Sequence, residues 1–129
     1  MDNSSNKTSA RAYFEDLLNS GDLDSADKIF SSSVQFNYPM GAMTGLEMVK
    51  QYVRAVRTAF PDIRFEVHDL FGEGERVGCR WTLTGTQTGE FRGNPPTGKS
   101  VEVPGNTIFH VQDGKIRELW IAFNPSLLI

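Results

Sequence analysis

Cysteine, basic charge and long apolar runs are all scarce in this chain of 129 residues. The one cysteine, Cys79, cannot form an internal disulfide, and no group of cysteines and histidines has the spacing of a structural zinc site. Thirteen Lys and Arg against sixteen Asp and Glu give a net charge of −3, which argues against non-specific nucleic-acid binding. No apolar run is long enough to cross a membrane, and residues 1–10 lack the apolar segment of a signal peptide. The sequence therefore predicts a soluble cytoplasmic protein without a metal site.

Aromatic residues, in contrast, are plentiful, and nine Phe, three Tyr and two Trp are enough for an aromatic core. We expect one domain over residues 9–129, preceded by a disordered segment over residues 1–8, which are small and polar. Apolar residues recur at helical spacing from Ser9 to Gly21, and Asp24 begins a short second helix. These patterns predict two helices in the first thirty residues.

A third helix is predicted between Thr44 and Pro61, where Thr44 and Glu47 have the spacing of a capping box. Before and after this helix, apolar residues recur at every second position, which predicts strands. One is a short strand near a sheet edge, Val34–Tyr38, and two later ones are Ile63–Phe71 and Val77–Leu83. Helices followed by a strand meander indicate an α+β fold rather than an α/β fold.

A long β-hairpin is predicted over Ser100–Asn124, with Asp113-Gly114 as its two-residue type I′ turn. Polar side chains interrupt the apolar pattern of its two arms; they are Asn106, His110, Glu118 and Asn124. Buried polar groups need partners, so these four side chains serve either the structure or a ligand.

Several stretches together resemble one known family. They are Ala59-Phe60-Pro61-Asp62, Arg80-Trp81, the loop TGTQTGEFRGNPPTGK, and the run from Phe109 to Trp120. The chain resembles the SnoaL-like polyketide cyclases of the nuclear-transport-factor-2-like superfamily over nearly its whole length. The resemblance implies a strongly curved antiparallel sheet wrapped around helices as a cone with an internal apolar pocket. It also implies a homodimer packed through the sheet, a small apolar or polyketide-like ligand, and no cofactor.

The resemblance assigns catalytic positions as well. The characterised cyclases close a ring by an aldol condensation, using an aspartate near the end of the last strand, a histidine on the preceding strand and polar groups of the first strand. The corresponding residues here are Asn124, His110 and Asn37. An amide can donate to an oxyanion but cannot act as a base, so proton abstraction would fall to His110 or be absent, unless Asp69 or Glu118 is enlisted.

Further residues are predicted to contact a ligand because a cone fold builds its pocket from the inner layer of the core. They are Tyr13, Phe14, Tyr38, Tyr52, Trp81, Asn106, Phe109, Glu118 and Trp120. For His110 the alternative is a histidine on the outer surface of the sheet, and for Glu118 it is a cross-strand salt bridge.

Three functions follow as hypotheses. The first is a cofactor-independent cyclase or isomerase that enolises a carbonyl compound. The second is a binding or scaffold domain without catalysis, which the replacement of the aspartate by Asn124 favours. The third, a hydrolase or dehydratase, needs converging carboxylates.

Overall fold

The computed structural model describes residues 4–128, in which three helical regions precede most of the sheet. The first region is α1 (Ser4–Ala12), which continues as a π-helical segment (Tyr13–Asn19); the second is a 3₁₀ turn (Leu23–Ser25) followed by α2 (Ala26–Ile29); the third is α3 (Leu46–Ala59). The strands are β1 (Phe30–Tyr38), β2 (Gly41–Thr44), β3 (Arg64–Glu73), β4 (Arg76–Thr86), β5 (Ser100–Gln112) and β6 (Lys115–Phe123), and a 3₁₀ turn (Pro125–Leu127) follows. None of the helices described could span a membrane, since none is both long enough and apolar enough.

The six strands form one curved sheet in the order β2-β1-β6-β5-β4-β3. Neighbouring strands run antiparallel, except that β1 runs parallel to β6. The predicted hairpin of β5 and β6 is confirmed, and Asp113 and Gly114 both have positive φ, as a type I′ turn requires. The predicted α+β architecture is confirmed, although the sheet is mixed rather than purely antiparallel.

The two faces of the sheet differ sharply in burial. On β4, the side chains of Val77, Cys79, Trp81 and Leu83 are buried, whereas the intervening side chains are half-buried or exposed. We call the buried side, which packs against the helices, the inner face and the other side the outer face. The alternation follows from the two-residue period of a strand, so each residue's parity decides whether it reaches the core.

The core between the helices and the inner face is largely aromatic. Tyr13 lies 4.9 Å from Phe14 and 5.7 Å from Phe109 between ring centroids, both edge to face. The π-helical segment turns Tyr13, Phe14, Leu17 and Leu18 all inward. Rings packed edge to face stabilise the core beyond the apolar area that they bury.

The first helix begins earlier than the sequence pattern indicates. Residues 4–8, predicted as disordered, form the first part of α1, while the same prediction for residues 1–3 lies outside the described residues. Asn6 Nδ2 donates to the Gly74 carbonyl at 3.3 Å, and Ser9 Oγ donates to the Gly114 carbonyl at 3.1 Å. These bonds to two hairpin turns give the polar helix partners that its own sequence does not reveal.

The predicted capping box at α3 is wrong. Gly45 is the N-cap residue, without a side-chain cap, and the Thr44 hydroxyl instead donates to Gln35 Oε1 at 2.6 Å. The reason is that Thr44 belongs to β2, a strand that the sequence analysis missed and that pairs with β1. The strand β1 is therefore second in the sheet, and β2 forms the edge.

Candidate functional site

A mostly apolar, partly open cavity lies between the helices and the inner face of the sheet. Its aromatic walls are Tyr13, Phe14, Tyr38, Tyr52, Phe60, Phe65, Trp81, Phe91 and Phe123. The remaining lining residues are Val56, Leu83, Thr107, Ile121 and Leu128. A concave apolar site with a few polar groups is the usual form of a small-molecule site.

The polar groups of this cavity are mainly the hydroxyls of three tyrosines, and these come from three different elements. Tyr13 lies on the π-helical segment, Tyr38 ends β1, and Tyr52 lies on α3. The side chains of Tyr38 and Tyr52 interact through their hydroxyls, and their ring centroids lie 4.9 Å apart. None of the side-chain hydrogen bonds found within residues 4–128 uses the Tyr13 hydroxyl, although only 3% of Tyr13 is exposed.

Burial keeps these hydroxyls protonated. Desolvation raises the pKa of Tyr13 and of Tyr52 well above the usual tyrosine value, and it raises the pKa of Tyr38 as well. A neutral phenol can donate its proton in a hydrogen bond, but it is a poor base. The tyrosines are therefore suited to hold a carbonyl or enol oxygen.

A second polar pair lies in the sheet wall of the cavity. The Trp81 indole Nε1–H donates to Thr107 Oγ1 at 2.9 Å, which satisfies the indole inside the core. Gly105 makes this position possible, because a Cβ atom at residue 105 would lie 2.3 Å from the Trp81 ring. The hydrogen bond fixes the orientation of the indole that forms this wall.

The cavity is small as it stands. About 430 Å³ around it is free of protein atoms, but only about 20 Å³ admits the centre of a water molecule. A ligand of even a few carbon atoms must therefore displace side chains. Three lining residues lie outside the helices and strands: Phe60 directly follows α3, Phe91 lies on the β4–β5 connection, and Leu128 directly follows the C-terminal 3₁₀ turn.

His110 lies outside this cavity, on the outer face of the sheet. Its side chain is 25% exposed, and His110 Nε2 lies 3.0 Å from Glu75 Oε1. Its neighbours Phe109 and Val111 point inward, which sends His110 outward. The alternation of apolar residues on β5 already contained this signal.

Asn37 and Asn124, predicted as partners of His110, also lie apart from the cavity. Asn37 Nδ2 donates to Glu118 Oε2 at 2.9 Å and to the Leu119 carbonyl at 3.0 Å, between β1 and β6. Asn124 Oδ1 accepts from the Ser126 backbone N–H at 3.1 Å and so caps the C-terminal 3₁₀ turn. The expected convergence of the three side chains in one cavity is therefore not found.

The residues predicted to contact a ligand divide between the two faces. Tyr13, Phe14, Tyr38, Tyr52 and Trp81 line the cavity. Phe109 is buried behind Tyr13 and Phe14, but it does not line the cavity. Asn106, Glu118 and Trp120 lie on the outer face, where Trp120 pairs with Ile108 and Glu118 with His110.

Several cavity residues escaped the sequence analysis. Thr107 was hidden because a threonine among apolar strand residues looks like ordinary strand composition. Phe91 lies in a loop of glycines and prolines, where no periodicity marks a core position. Within residues 4–128, no group of three or more His, Cys, Asp and Glu side chains is placed to hold a metal ion.

Comparisons with known proteins agree with this architecture. A protein from Jannaschia sp. CCS1, assigned as a SnoaL-like polyketide cyclase, superimposes with a TM-score of 0.89 at 24% identity, over 97% of this chain and 89% of that one. AclR from Streptomyces galilaeus, assigned as a hydroxylase, gives 0.84 at 28% identity, over 98% and 80% of the two chains. IdmH from Streptomyces antibioticus, assigned as a polyketide cyclase, gives 0.80 at 24% identity, over 95% and 94%.

A search of curated proteins finds no match. The sequence model of the SnoaL-like polyketide cyclases, however, matches residues 8–128, which is nearly the whole chain. Together with the curved sheet and the cavity that it encloses, this match establishes that the chain belongs to the SnoaL-like polyketide cyclase family.

Proposed function

We propose that this protein binds a small, largely apolar carbonyl compound in the cavity and favours its enol form, as a cofactor-independent cyclase or isomerase. The observation that carries the proposal is the set of three tyrosine hydroxyls around an otherwise apolar cavity. Family membership supports the same class of chemistry.

In this proposal the tyrosine hydroxyls bind the ligand oxygen. A carbonyl oxygen gains negative charge as the adjacent C–H bond loses its proton, and neutral hydrogen-bond donors stabilise that charge. Tyr13 and the Tyr38–Tyr52 pair are such donors, because burial raises their pKa values. The apolar walls bind the rest of the ligand and strengthen these hydrogen bonds by excluding water.

A second candidate function is binding without catalysis. No carboxylate or imidazole belongs to the residues that line the cavity within the described part of the chain. Enolisation then depends on water or on a group of the ligand itself as the base, which limits the rate. A pocket with donors and no base is sufficient for a carrier or sensor of the same ligand.

The experiment uses pentane-2,4-dione, a simple diketone that enolises readily. Its binding is measured by calorimetry, and its proton exchange is followed by NMR in heavy water at a pD where the spontaneous reaction is slow. We expect wild type to bind it and to accelerate exchange, and the Tyr13→Phe/Tyr52→Phe variant to do both less well. Binding without acceleration supports the second candidate, and no binding contradicts both.

We also propose a homodimer that packs through the outer face. An apolar row crosses four strands there, because Phe71 pairs with Gly78, Gly78 with Ile108, and Ile108 with Trp120. The side chains of Phe71, Ile108 and Trp120 are 65%, 48% and 36% exposed. An exposed apolar row of this kind is typical of an interaction surface. A two-fold dimer would pack the row of one subunit against the same row of the other.

Sedimentation velocity tests the dimer. Ile108→Glu places a charge in the centre of the row and is expected to shift the protein to the monomer. Met48→Glu is the matched control, because Met48 is 44% exposed on α3, away from the row. A wild-type monomer, or an Ile108→Glu variant that still dimerises, contradicts this assembly.

A further inference from the structure

The connection between β4 and β5 places one aromatic ring in the cavity wall. We call residues 88–98 the strap. Its side chains are half-buried or exposed except that of Phe91, which is 3% exposed and lines the cavity. The rings of Phe91 and Phe60 meet edge to face, with 5.7 Å between their centroids. The strap therefore contributes one phenyl ring to the site.

A buried amide holds the strap together from within. Gln87, only 3% exposed, precedes the strap, and its Nε2 donates to the carbonyls of Gly89 and Pro95, both at 3.2 Å. A longer contact of 3.5 Å reaches the Asn94 carbonyl, and Gln87 Oε1 accepts from Thr97 Oγ1 at 3.2 Å. One side chain thus bonds to both the beginning and the end of the strap.

The start of the strap is also fixed to the end of α3. The backbone N–H groups of Thr88 and Gly89 both donate to the Ala59 carbonyl, at 3.0 and 3.1 Å. A Cβ atom at residue 89 would lie 2.3 Å from the Thr58 carbonyl oxygen, so glycine is needed for this close approach. Phe91 follows two residues later, which leaves its ring little freedom to move while the Gln87 bonds are intact.

We propose that Phe91 determines how large a ligand the cavity accepts, and that Gln87 is the residue that positions it. The inference rests on the proposed function for the kind of ligand, but the limit on size follows from packing alone. With the Phe91 ring in place, the cavity has room for little more than one water molecule. Removing or releasing that ring adds apolar volume continuous with the tyrosine hydroxyls, and such volume binds small apolar molecules.

The test compares two diketones of different size, pentane-2,4-dione and 1-phenylbutane-1,3-dione, with benzene as a probe that has no carbonyl group. The variants are Phe91→Leu, Phe91→Ala and Gln87→Leu. Phe30→Leu is the matched control for the ring, because Phe30 is 1% exposed and does not line the cavity. Gln51→Leu is the matched control for the amide, because Gln51 is exposed on α3.

We expect Phe91→Leu to shift the affinity ratio towards the larger diketone by about ten-fold or more, and Phe91→Ala to bind benzene at least about ten-fold more tightly than wild type. Gln87→Leu keeps the ring but leaves the strap carbonyls without their donor, so the same ratio shifts in the same direction. Destabilisation alone weakens both diketones together and does not move the ratio. Phe91→Leu keeps the test decisive if Phe91→Ala does not fold.

Each outcome decides one part of the proposal. A folded Phe91→Leu variant with the wild-type ratio overturns the size limit, and so does an equal shift in Phe30→Leu. An unchanged ratio in Gln87→Leu overturns the positioning role. If benzene binding increases while neither diketone binds any variant, the size limit stands and the carbonyl function fails. If wild type binds diketones in a tyrosine-dependent way but no variant changes the ratio, the carbonyl function stands and the size limit fails.

Discussion

The two sides of the sheet, one facing the helices and one facing away from them, have opposite chemistry. On the inner face the polar groups are neutral hydroxyls and an indole, each held in apolar surroundings. On the outer face lie charged and imidazole side chains: His110 contacts Glu75, Arg80 forms an ion pair with Asp69, and Glu118 accepts from Asn37. His110, the residue to which the family resemblance would assign proton abstraction, thus lies on the side that the helices do not cover.

Because the two faces of the sheet differ in this way, a polar residue in a β-strand cannot be assigned to a site from its motif alone. His110 and Phe109 are adjacent in sequence, yet Phe109 is fully buried and His110 Nε2 contacts Glu75 near solvent. One step along a strand exchanges the two faces, because successive side chains point in opposite directions.

The largest effect expected from the comparison is on stability, at two adjacent residues of β5. Phe109→Ala empties a position with 0% exposure and should lower the free energy of unfolding by about 3–5 kcal/mol. Ile108→Ala, at a residue that is 48% exposed in the single chain, should lower it by about 1 kcal/mol or less when both variants are measured at concentrations where the protein is monomeric. Urea denaturation followed by circular dichroism measures both, and equal losses would mean that the two faces are not distinct.

Ligand affinity should respond to a substitution on the inner face but not to one on the outer face. Tyr13→Phe removes one inner hydroxyl and should weaken the binding of pentane-2,4-dione by about ten-fold, the value of roughly one hydrogen bond. His110→Ala changes only the outer face and should leave the affinity unchanged within about two-fold, which is below half a kcal/mol. Calorimetry on both variants decides the point, and a loss confined to His110→Ala would move the site to the outer face.

Two threonine hydrogen bonds offer a closely matched comparison. Thr107→Val leaves the buried Trp81 N–H without its acceptor and should cost about 1–3 kcal/mol. Thr82→Val removes an exposed bond of 2.7 Å to His68 Nε2 and should cost about 0.5 kcal/mol or less. Thr107→Ser restores the hydroxyl and should recover most of the loss, so a failure of this rescue would show that packing alone is responsible.

Alkaline pH should lower the free energy of unfolding through the buried tyrosines of the inner face. Burial raises the pKa values of Tyr13 and Tyr52, so above the ordinary tyrosine pKa of about 10 the unfolded chain loses protons that the folded chain keeps. The contribution of these residues to stability is thus complete below about pH 10 and is lost as the pH rises above it. Unfolding free energies measured through this range should fall less steeply in Tyr52→Phe than in wild type, and parallel curves would argue against the effect.

The smallest effect is at acid pH and comes from an exposed residue. The Thr86 backbone N–H donates to Asp62 Oδ1 at 2.7 Å and holds the pKa of that carboxyl below its usual range. This stabilisation is present above the ordinary aspartate pKa of about 4 and is lost as the pH falls through the lowered value. Asp62→Asn keeps the acceptor but should slightly flatten the acid end of the stability curve; a steeper acid loss would contradict the assignment.

Much of the fold could be predicted from local patterns. The helical spacing before Asn19, the helix between Thr44 and Pro61 and the Asp113-Gly114 turn each depend on residues close in sequence, and the structure confirms them. The short strand β2 was missed because Gly41–Thr44 is exposed on most of its residues and has no apolar alternation. The parallel pairing of β1 with β6 joins distant parts of the chain, and no local pattern encodes it.

The family, the α+β architecture and the aromatic character of the interior could all be predicted from the sequence, because they depend on the identity and spacing of residues. Three features depend on the tertiary structure: His110, Asn37 and Asn124 lie apart from the cavity, tyrosines from three elements line it, and Phe91 reaches its wall from a connection to which Gln87 bonds. The physical reason is that strand register, parity and loop anchoring are set by contacts between residues far apart in the chain. A motif records which residues are present, but those contacts decide where each side chain points.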